Sequence, residues 1–186
     1  IHTSYITDTI LFFRQAKELG LNMIKAYIGQ GGGYAMRDFA DAMGDEVNGI
    51  FNVDYPQIDL NPKFAKGIDE FNKLYKETYG SEPNSAHSLV AYQGTLLLLT
   101  AIEKGGGAMN ADAIRKGALE INIPDGETAA GYGAKFEASN PANMGQNTAA
   151  FPLVSQWQNN RQITVWPEKY AATDKILLPQ KPWKTK

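Results

Sequence analysis

The 186-residue sequence predicts an α/β protein, and three observations lead to that fold class. Hydrophobic residues make up 43% of the chain and charged residues 20%, which is typical of a chain that folds around a core. Residues 22–53 read as two strands with a short helix between them, whereas residues 60–122 show helical periodicity and no convincing strand. A parallel sheet with helices packed on it accounts for both patterns.

The first element is a helix predicted over residues 8–19. Thr7 or Asp8 can cap its N-terminus, and Gly20 follows its last turn, where glycine is favoured. The apolar residues of this segment recur at helical spacing and form one stripe: Ile10, Phe13, Ala16 and Leu19. Such a stripe has to be buried, so the helix is expected to pack against a sheet.

A βαβ unit follows. Residues 22–29 predict a strand, residues 30–34 a loop, residues 36–43 a short helix closed by Gly44, and residues 47–53 a second strand. Because crossover connections join parallel strands, the two strands should be parallel neighbours.

The middle of the chain predicts three helices. Asn61 and Pro62 form a helix start, since asparagine caps well and proline suits the first helical position. That helix runs to residue 79, a second covers residues 86–104, and a third covers residues 111–119. No strand accompanies them, so their apolar faces lack a sheet of their own.

Beyond residue 124 the pattern returns to strands. Residues 132–138 predict one strand, and residues 150–158 and 161–166 predict a hairpin around Asn159-Asn160. Asparagine tolerates the left-handed backbone that a tight turn requires. The segment from residue 171 to the end contains two prolines and is expected to lie on the surface as an extended tail.

Charge and composition exclude several classes of partner. Lys and Arg number 18 against 20 Asp and Glu, so the net charge of −2 gives no reason to expect nucleic acid as a partner. The most apolar stretch, residues 89–102, is too short to span a bilayer. Because there is no cysteine, the chain has no disulfide and no thiolate nucleophile.

No pattern in the sequence indicates catalysis. The two histidines, His2 and His87, are far apart, and neither lies in a motif that predicts a metal ligand or a catalytic base. The chain also lacks the Gly-x-Ser-x-Gly motif of one large hydrolase class. We therefore expect no catalytic residue, no metal and no cofactor.

The triglycine segment at residues 31–33 is the most informative motif. Glycines after a parallel strand allow positive φ and let a ligand approach the backbone at the carboxyl edge of the sheet. Tyr5 and Tyr34 both lie at predicted strand-to-helix junctions, where a phenol could line a cleft. A plain flexible turn is the alternative, and so is a dinucleotide-binding loop, with Asp54 near the position of a ribose-binding acid.

Several motifs carry a family resemblance. They are SYITD at residues 4–8, ILFFRQAKELG at 10–20, YIGQGGGY at 27–34, GIF at 49–51, GQN at 145–147 and QWQNNR at 156–161. Together they resemble the type I periplasmic binding proteins of the branched-chain amino acid ABC-transporter group, over nearly the whole chain. The resemblance implies a periplasmic binding protein-like I fold, a two-lobed parallel-sheet sandwich, represented here by an incomplete C-terminal fragment.

The resemblance also implies a division into lobes. Residues 1–54 and 132–186 would belong to the second, C-terminal lobe, and residues 60–122 would be the helical part of the first, N-terminal lobe. Residues 55–59 and 123–131 would be crossovers between the lobes. The sheet beneath the three middle helices would then come from an N-terminal half that this sequence does not contain.

The function implied by the resemblance is that of the solute-binding component of an ABC importer, which closes on its solute by a hinge motion and is not an enzyme. The expected location is the periplasm, or a lipid-anchored extracytoplasmic position, after removal of a signal peptide. Expected partners are a small-molecule solute, a membrane permease, and the N-terminal half of the protein or a second copy. A nucleotide-dependent enzyme using the glycine loop, and the ligand-sensing domain of a receptor or regulator, remain as alternatives.

Position by position, Tyr5 matches a tyrosine that reaches the ligand, with Ser4 and Asp8 beside it. The other predicted contacts lie in the glycine loop: Gln30, Gly31, Gly32 and Tyr34. In amino-acid-binding members this loop contributes an acid that holds the ammonium group, but no Asp or Glu occurs in it here. An amino acid-like solute and an aromatic or simple carboxylate therefore remain equally open.

Overall fold

The computed structural model describes residues 1–22, 25–107, 110–142 and 144–183. Its strands are β1 (His2–Thr3), β2 (Ile28–Gln30), β3 (Phe51–Asp54), β4 (Asn122–Ile123), β5 (Ala134–Lys135), β6 (Leu153–Gln158) and β7 (Arg161–Trp166). Its α-helices are α1 (Ile6–Glu18), α2 (Gly32–Ala35), α3 (Arg37–Met43), α4 (Ile68–Tyr79), α5 (His87–Lys104) and α6 (Ala111–Leu119). Short 3₁₀ turns cover Gly44–Val47, Pro62–Phe64 and Glu168–Tyr170.

The chain divides into two compact units. The first, named here the sheet unit, comprises Ile1–Asp59, Asn84–Ala86 and Pro152–Lys186. The second, named the helical unit, comprises Leu60–Pro83 and His87–Phe151.

A five-stranded sheet in the order β1-β2-β3-β6-β7 forms the frame of the sheet unit. The pairs β1–β2 and β2–β3 are parallel, and the pairs β3–β6 and β6–β7 are antiparallel. The parallel pairing of β2 with β3 confirms the predicted βαβ unit. It also brings the carboxyl ends of three strands to one edge of the sheet.

The predicted hairpin is confirmed at its turn. Asn159 and Asn160 have φ of 51° and 58°, and they join β6 directly to β7. Two consecutive left-handed residues give the turn whose twist matches that of the flanking strands. Asparagine is one of the few residue types other than glycine that accept this backbone.

Two predicted boundaries in the sheet unit differ from the structure. Helix α1 begins at Ile6, because the Thr9 N–H donates to the Tyr5 carbonyl (2.9 Å) and starts the helical turn earlier than the expected cap. The strand expected over residues 47–53 is instead a 3₁₀ turn followed by β3. Gly49, with φ of +98°, separates the two and donates its N–H to the Trp157 carbonyl (2.8 Å).

The strand expected over residues 22–29 is shorter than predicted. Its described ladder residues are those of β2, Ile28–Gln30. Met23 and Ile24, which the prediction also included, lie outside the described residues. The expected loop at residues 30–34 contains the single helical turn of α2.

The core of the sheet unit is a cluster of aromatic and aliphatic side chains between the sheet and helices α1 to α3. Its members include Phe13, Tyr34, Phe39, Ile50 and Trp157, each no more than 2% exposed. Phe13 lies at its centre, with ring centroids 5.0 to 5.9 Å from those of five other aromatic residues. This burial is the main stabilising contribution that the unit's own residues can make.

The prediction of a surface tail after residue 171 is wrong for its last described residues. Trp183 is 5% exposed and stacks on Tyr27 with ring centroids 5.0 Å apart. Its backbone N–H donates to Oδ1 of Asn22 (3.0 Å), and the Gln180 backbone N–H donates to the Lys25 carbonyl (2.9 Å). The segment has no regular secondary structure, yet it closes one side of the core.

The helical unit contains the three predicted middle helices and a two-stranded antiparallel sheet formed by β4 and β5. Helix α4 begins at Ile68, because the 3₁₀ turn at Pro62–Phe64 replaces its predicted first turn. Helix α6 matches its predicted span, and the Asn110 side chain caps it by accepting the Ala113 N–H (2.9 Å). Within the described ranges, no helix combines the length and hydropathy needed to cross a bilayer.

Two segments group differently from the predicted lobes. Residues 84–86, expected with residues 60–122, fall in the sheet unit. Residues 132–151, expected with residues 1–54, fall in the helical unit. The reason is local, because β5 pairs with β4 and Ala134 packs with Ala101 and Ile121. Which lobe of a larger protein each unit represents stays a proposal.

Candidate functional site

The candidate site is the carboxyl edge of strands β1, β2 and β3 in the sheet unit. His2 pairs with Gly29, and Gly29 pairs with Asn52; Thr3, Gln30 and Val53 form the next row. The residues that follow this second row are Ser4, Gly31 and Asp54. In open α/β sheets, ligands bind beyond this end of the parallel strands.

Backbone hydrogen bonds fix the first two of these segments together. The Ser4 N–H donates to the Gln30 carbonyl (3.3 Å), and the Gly33 N–H donates to the Ser4 carbonyl (3.3 Å). The edge is therefore a defined backbone arrangement.

The glycines of the triglycine segment allow the chain to approach itself. Gly31 has φ of +102°, a backbone conformation that favours glycine. A Cβ on Gly33 would lie 2.6 Å from the Tyr5 carbonyl carbon and would also overlap the Thr9 hydroxyl. Close packing of α2 against the start of α1 requires these glycines. The fold itself therefore accounts for them, whether or not a ligand binds.

Tyr34 does not line the edge. Its side chain is 1% exposed, and its hydroxyl lies 2.5 Å from Nδ1 of His2. The Tyr34 carbonyl accepts hydrogen bonds from Trp157 Nε1 and Gln162 Nε2, both at 2.9 Å. Burial raises the pKa of the phenol above its usual range. A hydrogen bond with Ser4 lowers the pKa by a smaller amount and so only partly offsets the effect of burial. The structure places this residue in the core.

Tyr5 and Asp8, by contrast, face solvent at the start of α1. Tyr5 is 80% exposed and occupies the position before the first helical residue. Asp8 is exposed in the first turn, where a carboxylate interacts favourably with the helix dipole. The two side chains are thus available to a partner.

Ser4 and Gln30 complete the predicted set. The Ser4 hydroxyl lies 2.5 Å from the Thr9 hydroxyl and 3.4 Å from Nδ1 of His2. Gln30 is exposed, and its side-chain oxygen accepts a hydrogen bond from the Thr3 hydroxyl (3.3 Å). The structure therefore brings Ser4, Tyr5, Gln30 and the Gly31–Gly32 backbone to one edge and turns Tyr34 away from it.

Strand β3 adds two polar side chains to this edge, those of Asn52 and Asp54. Neither was predicted from the sequence as a contact to a solute. Asn52 is 0% exposed, and neither side-chain amide atom has a hydrogen-bond partner in the part of the chain that the structure describes. Oδ2 of Asp54 is likewise buried and unpaired there. In the sequence, Asp54 was noted only because it lies near the position of a ribose-binding acid.

Asp59, only five residues further on, is fully engaged by the protein itself. Its carboxylate oxygens accept hydrogen bonds from the Thr164 N–H and hydroxyl, both at 2.8 Å. Burial raises the pKa of Asp59, and the Thr164 hydrogen bonds and Arg161 partly oppose that rise. Asp59 thus connects the segment after β3 to strand β7.

The described residues include no group of three or more His, Cys, Asp or Glu side chains arranged to hold a metal ion. The edge instead presents groups that can form hydrogen bonds. They are the polar side chains of Ser4 and Gln30, the exposed phenol of Tyr5, and the carboxylates of Asp8 and Asp54. These are the means by which proteins bind small polar organic molecules.

Comparison with known proteins gives the family. A family model described as periplasmic binding protein matches residues 1–154. The Leu/Ile/Val-binding protein homolog 8 of Brucella abortus is 42% identical over 172 residues, which cover 92% of this chain and 41% of that protein. Homolog 7 of Brucella suis is 39% identical over 181 residues, covering 97% and 43%. The chain thus spans about two fifths of the length of these curated relatives.

Solved structures show the same fold at lower sequence identity. A leucine binding protein from Thermotoga maritima has a TM-score of 0.64 at 21% identity and covers 92% of this chain and 44% of its own. A putative branched-chain amino acid ABC transporter from Silicibacter pomeroyi has a TM-score of 0.66 at 18% identity, covering 95% and 46%. A fatty acid ABC transporter substrate-binding protein from Thermomonospora curvata has a TM-score of 0.65 at 16% identity, covering 92% and 42%. The chain belongs to the periplasmic binding protein family.

Proposed function

We propose that this chain is part of the solute-binding component of an ABC importer. In this proposal the carboxyl edge of β1 to β3 provides the contacts of one lobe to a small organic solute. Family membership supports a binding role, and the observation that carries the proposal is the exposure of Tyr5.

Tyr5 is a large aromatic residue left in solvent by a unit that packs most of its other rings. It is 80% exposed, whereas Phe13, Tyr34 and Trp157 are nearly completely buried. Its position is fixed, because Gly33 packs directly on its carbonyl group. A phenol on a rigid backbone offers an apolar surface and a hydrogen-bonding hydroxyl at little entropic cost, which suits a ligand contact.

Such a contact fits a mechanism of closure. A side chain that is largely exposed in one state can gain many contacts when a solute and a second lobe cover it. A solute that is contacted from both sides only in the closed form binds that form more tightly, so it shifts the open–closed equilibrium. The second lobe and the permease that receives the solute belong to the proposal.

The solute class stays open at this level: an amino acid-like molecule or an aromatic or simple carboxylate. The fold does not select between them, since structures of the same fold carry the names of leucine and of fatty acid as solutes. The proposed location is the periplasm, or the outer face of the membrane if the protein is lipid-anchored.

The two alternatives differ in support. The nucleotide-dependent enzyme relied on the glycine segment, and these glycines allow the chain to pack on itself. A ligand-sensing domain of a receptor would share this fold and this edge. Flanking coding sequence that encodes an export signal would favour the importer component.

Full-length gene product is the material for the test. A thermal-shift screen against amino acids and aromatic carboxylates, followed by calorimetry, should find at least one stabilising solute. Tyr5→Ala should weaken its binding by roughly tenfold or more, because it removes a central aromatic contact. Tyr79→Ala, which removes a 67% exposed tyrosine from the end of α4, is the matched control and should leave the affinity unchanged. Absence of any stabilising solute would contradict the proposal.

The helical unit suggests a further partner. Leu96, Leu98 and Leu99 of α5 are 40%, 50% and 56% exposed. We propose that the sheet of the missing N-terminal half covers them in the full-length protein. Sedimentation equilibrium of the 186-residue chain alone addresses the alternative, since a dimer that Leu98→Gln dissociates would indicate a second copy instead.

A further inference from the structure

We propose that His2 acts on the solute through a chain of hydrogen bonds, and that protonation of its imidazole lets the Ser4 hydroxyl donate to an oxygen of the solute. The proposal rests on the proposed solute-binding function and assigns His2 and Tyr34 as positioning residues for Ser4. It predicts that a carboxylate solute binds more tightly as the pH falls, with uptake of a proton.

Four side chains form this hydrogen-bond chain. Nδ1 of His2 lies 2.5 Å from the Tyr34 hydroxyl and 3.4 Å from the Ser4 hydroxyl. The Ser4 hydroxyl shares a hydrogen bond with Tyr34 and lies 2.5 Å from the Thr9 hydroxyl. Tyr34 and Thr9 are no more than 1% exposed, whereas Ser4 is partly exposed at the candidate edge. Ser4 is therefore the member that can meet both the buried hydroxyls and a solute.

Packing fixes the imidazole of His2 in this chain. Its ring stacks on that of Phe12, with centroids 4.1 Å apart and planes inclined by 17°. It also meets the Tyr34 ring edge-on, with centroids 5.9 Å apart, and its backbone pairs with Gly29 of β2. Turning Nδ1 away from Tyr34 would break these contacts. A change in the protonation of His2 is therefore met by the hydroxyl groups, which rotate freely.

The neutral form of His2 uses the Ser4 proton within the chain. Burial raises the pKa of the Tyr34 phenol, so this hydroxyl keeps its proton at neutral pH. An unprotonated Nδ1 accepts that proton, and the Tyr34 oxygen then accepts the proton of Ser4. A serine hydroxyl has one proton to donate and two lone pairs. Because its proton is used, Ser4 can offer a solute only a lone pair.

Protonation of His2 reverses the direction of the chain. Nδ1–H can only donate, and the Tyr34 oxygen is its acceptor, so the Tyr34 hydroxyl donates to Ser4 instead. Ser4 then accepts from Tyr34 and Thr9 and has its own proton left for an oxygen of the solute. Histidine is the side chain type that gains and loses its charge between about pH 5 and pH 8, so the reversal falls in a physiological range.

The charged groups around His2 are compatible with an imidazolium. Strands β1 and β2 and helix α2, which meet its ring or backbone, contain no Asp, Glu, Lys or Arg, and Tyr34 is their one other titratable side chain. The preceding residue, Ile1, is fully exposed. On α1, Asp8 lies one turn before Phe12 and hence on the helix face that meets His2. The other charged residues of α1 lie off this face: Arg14, Lys17 and Glu18.

Calorimetry on the full-length gene product tests the coupling, with L-leucine and phenylacetate as carboxylate probes. Titrations are made at about pH 5.5 and about pH 8, on either side of the usual histidine range, each in two buffers of different ionisation enthalpy. The wild type should bind at least one probe about three- to tenfold more tightly at the lower pH, because Ser4 then adds a hydrogen bond. The heat should depend on the buffer in the sense of proton uptake.

Three variants assign that uptake. His2→Asn cannot titrate and should show the same affinity at both pH values. Tyr34→Phe keeps the ring and His2 but breaks the chain, so it should lose most of the pH dependence. A direct charge attraction between His2 and the carboxylate would survive in Tyr34→Phe, which separates it from the proposed coupling. His87→Gln, a change of the other histidine in this chain, is the matched control and should keep the wild-type dependence.

A measurement on the wild type alone keeps the proposal falsifiable if a variant fails to fold. Long-range ¹H–¹⁵N correlation spectra of histidine-labelled protein report which ring nitrogen carries the proton. At about pH 8, Nδ1 of His2 should be unprotonated and Nε2 protonated, and acidification should protonate Nδ1. A proton on Nδ1 at the higher pH would overturn the proposed direction of the chain.

The remaining outcomes separate the two proposals. A wild-type affinity that does not change with pH, or proton release on binding, would overturn the role of His2 and leave the solute-binding function standing. So would full pH dependence in His2→Asn or Tyr34→Phe. Binding of neither probe, while the screen finds a stabilising solute, would overturn the assignment of a carboxylate to Ser4. Absence of any stabilising solute would overturn both proposals.

Discussion

The two units bury their apolar residues to different degrees. In the sheet unit, α1 to α3 pack on a five-stranded sheet, and Phe13 and Phe39 are 0% exposed. The helical unit supplies only the two short strands β4 and β5, and leucines of α5 remain about half exposed. The sheet unit therefore has a sheet large enough to cover the apolar faces of its helices, whereas the sheet of the helical unit leaves part of α5 uncovered.

This difference shows that helix periodicity and core completeness are separate properties. Helices α4 and α6 form from local signals, namely apolar spacing, the Asn110 cap and the left-handed Gly80 that follows α4. Whether their faces are covered depends on residues elsewhere. A helix can thus form from local signals and still expose an apolar face that only a further part of the protein would cover.

The largest expected effect comes from removing the centre of the core of the sheet unit. Phe13→Ala should lower the free energy of unfolding by about 3–5 kcal/mol, because it deletes a fully buried ring and leaves a cavity among Tyr27, Phe39 and Trp183. Urea unfolding followed by circular dichroism measures the change.

Leu99→Ala is the corresponding change in the helical unit and sharpens the comparison. Because Leu99 is 56% exposed, its truncation in the 186-residue chain should cost less than about 1 kcal/mol. Equal losses for Phe13→Ala and Leu99→Ala would show that the two units are equally complete.

An intermediate effect is expected where α6 meets α5 in the helical unit. A Cβ on Gly117 would lie 2.7 Å from the Gly105 nitrogen and would also overlap the Ala101 carbonyl. Gly117→Ala should therefore destabilise the protein by about 1–3 kcal/mol in the same unfolding experiment.

Gly94→Ala is the matched control on α5, where the added methyl meets nothing within 4 Å. There the higher helix propensity of alanine should stabilise by about 0.5–1 kcal/mol. A neutral Gly117→Ala would contradict the close packing of the two helices.

The smallest effect concerns pH in the helical unit. Glu137 Oε1 accepts the Ser139 hydroxyl and the N–H groups of Ser139 and Ala138, at 2.6 to 2.7 Å. These hydrogen bonds, that of the Ser139 hydroxyl first, lower the pKa of Glu137 from 4.5 to about 2. The folded state therefore binds this proton less tightly than the unfolded chain. The stabilisation is present above about pH 4.5 and is lost as the pH falls towards 2.

Ser139→Ala should raise the pKa of Glu137 towards 4.5, while the backbone donors keep it below that value. An NMR titration of the glutamate carboxyl carbons measures this, with Ser81→Ala at an exposed position as control. An unchanged pKa in Ser139→Ala would contradict the role of the hydroxyl.

Features that depend on a few neighbouring residues could be predicted from the sequence. The Asn159-Asn160 turn and the Asn110 cap each follow from residue types within a few positions. The start of α1 could not be predicted in this way. Its N-cap residue is Tyr5, whose side chain makes no capping hydrogen bond, so the residue type does not indicate that a helix begins there. The family motifs supplied the rest of the fold class.

The orientation of Tyr34 shows why the site was harder to predict than the fold. Its junction between strand and helix suggested a cleft position, but its ring packs over Gly29, where any Cβ would overlap it. Asp54 was read as a possible ribose contact because sequence spacing gives no information on hydrogen-bond saturation. Only the structure shows that the Asp59 carboxylate is paired, whereas Oδ2 of Asp54 has no hydrogen-bond partner among the described residues.

Packing of Trp183 on Phe13 has a consequence for the order in which the two units can fold as the chain emerges in its final compartment. The helical unit ends at Phe151, so all of its residues are available before the chain is finished. The sheet unit needs Trp183, whose ring centroid lies 5.6 Å from that of Phe13 across 170 residues of sequence. The apolar stripe of helix α1 therefore stays exposed until the whole helical unit and the segment that contains Trp183 have emerged. A chain from which residue 183 is still missing is therefore the form most exposed to aggregation, and the one that most needs a chaperone.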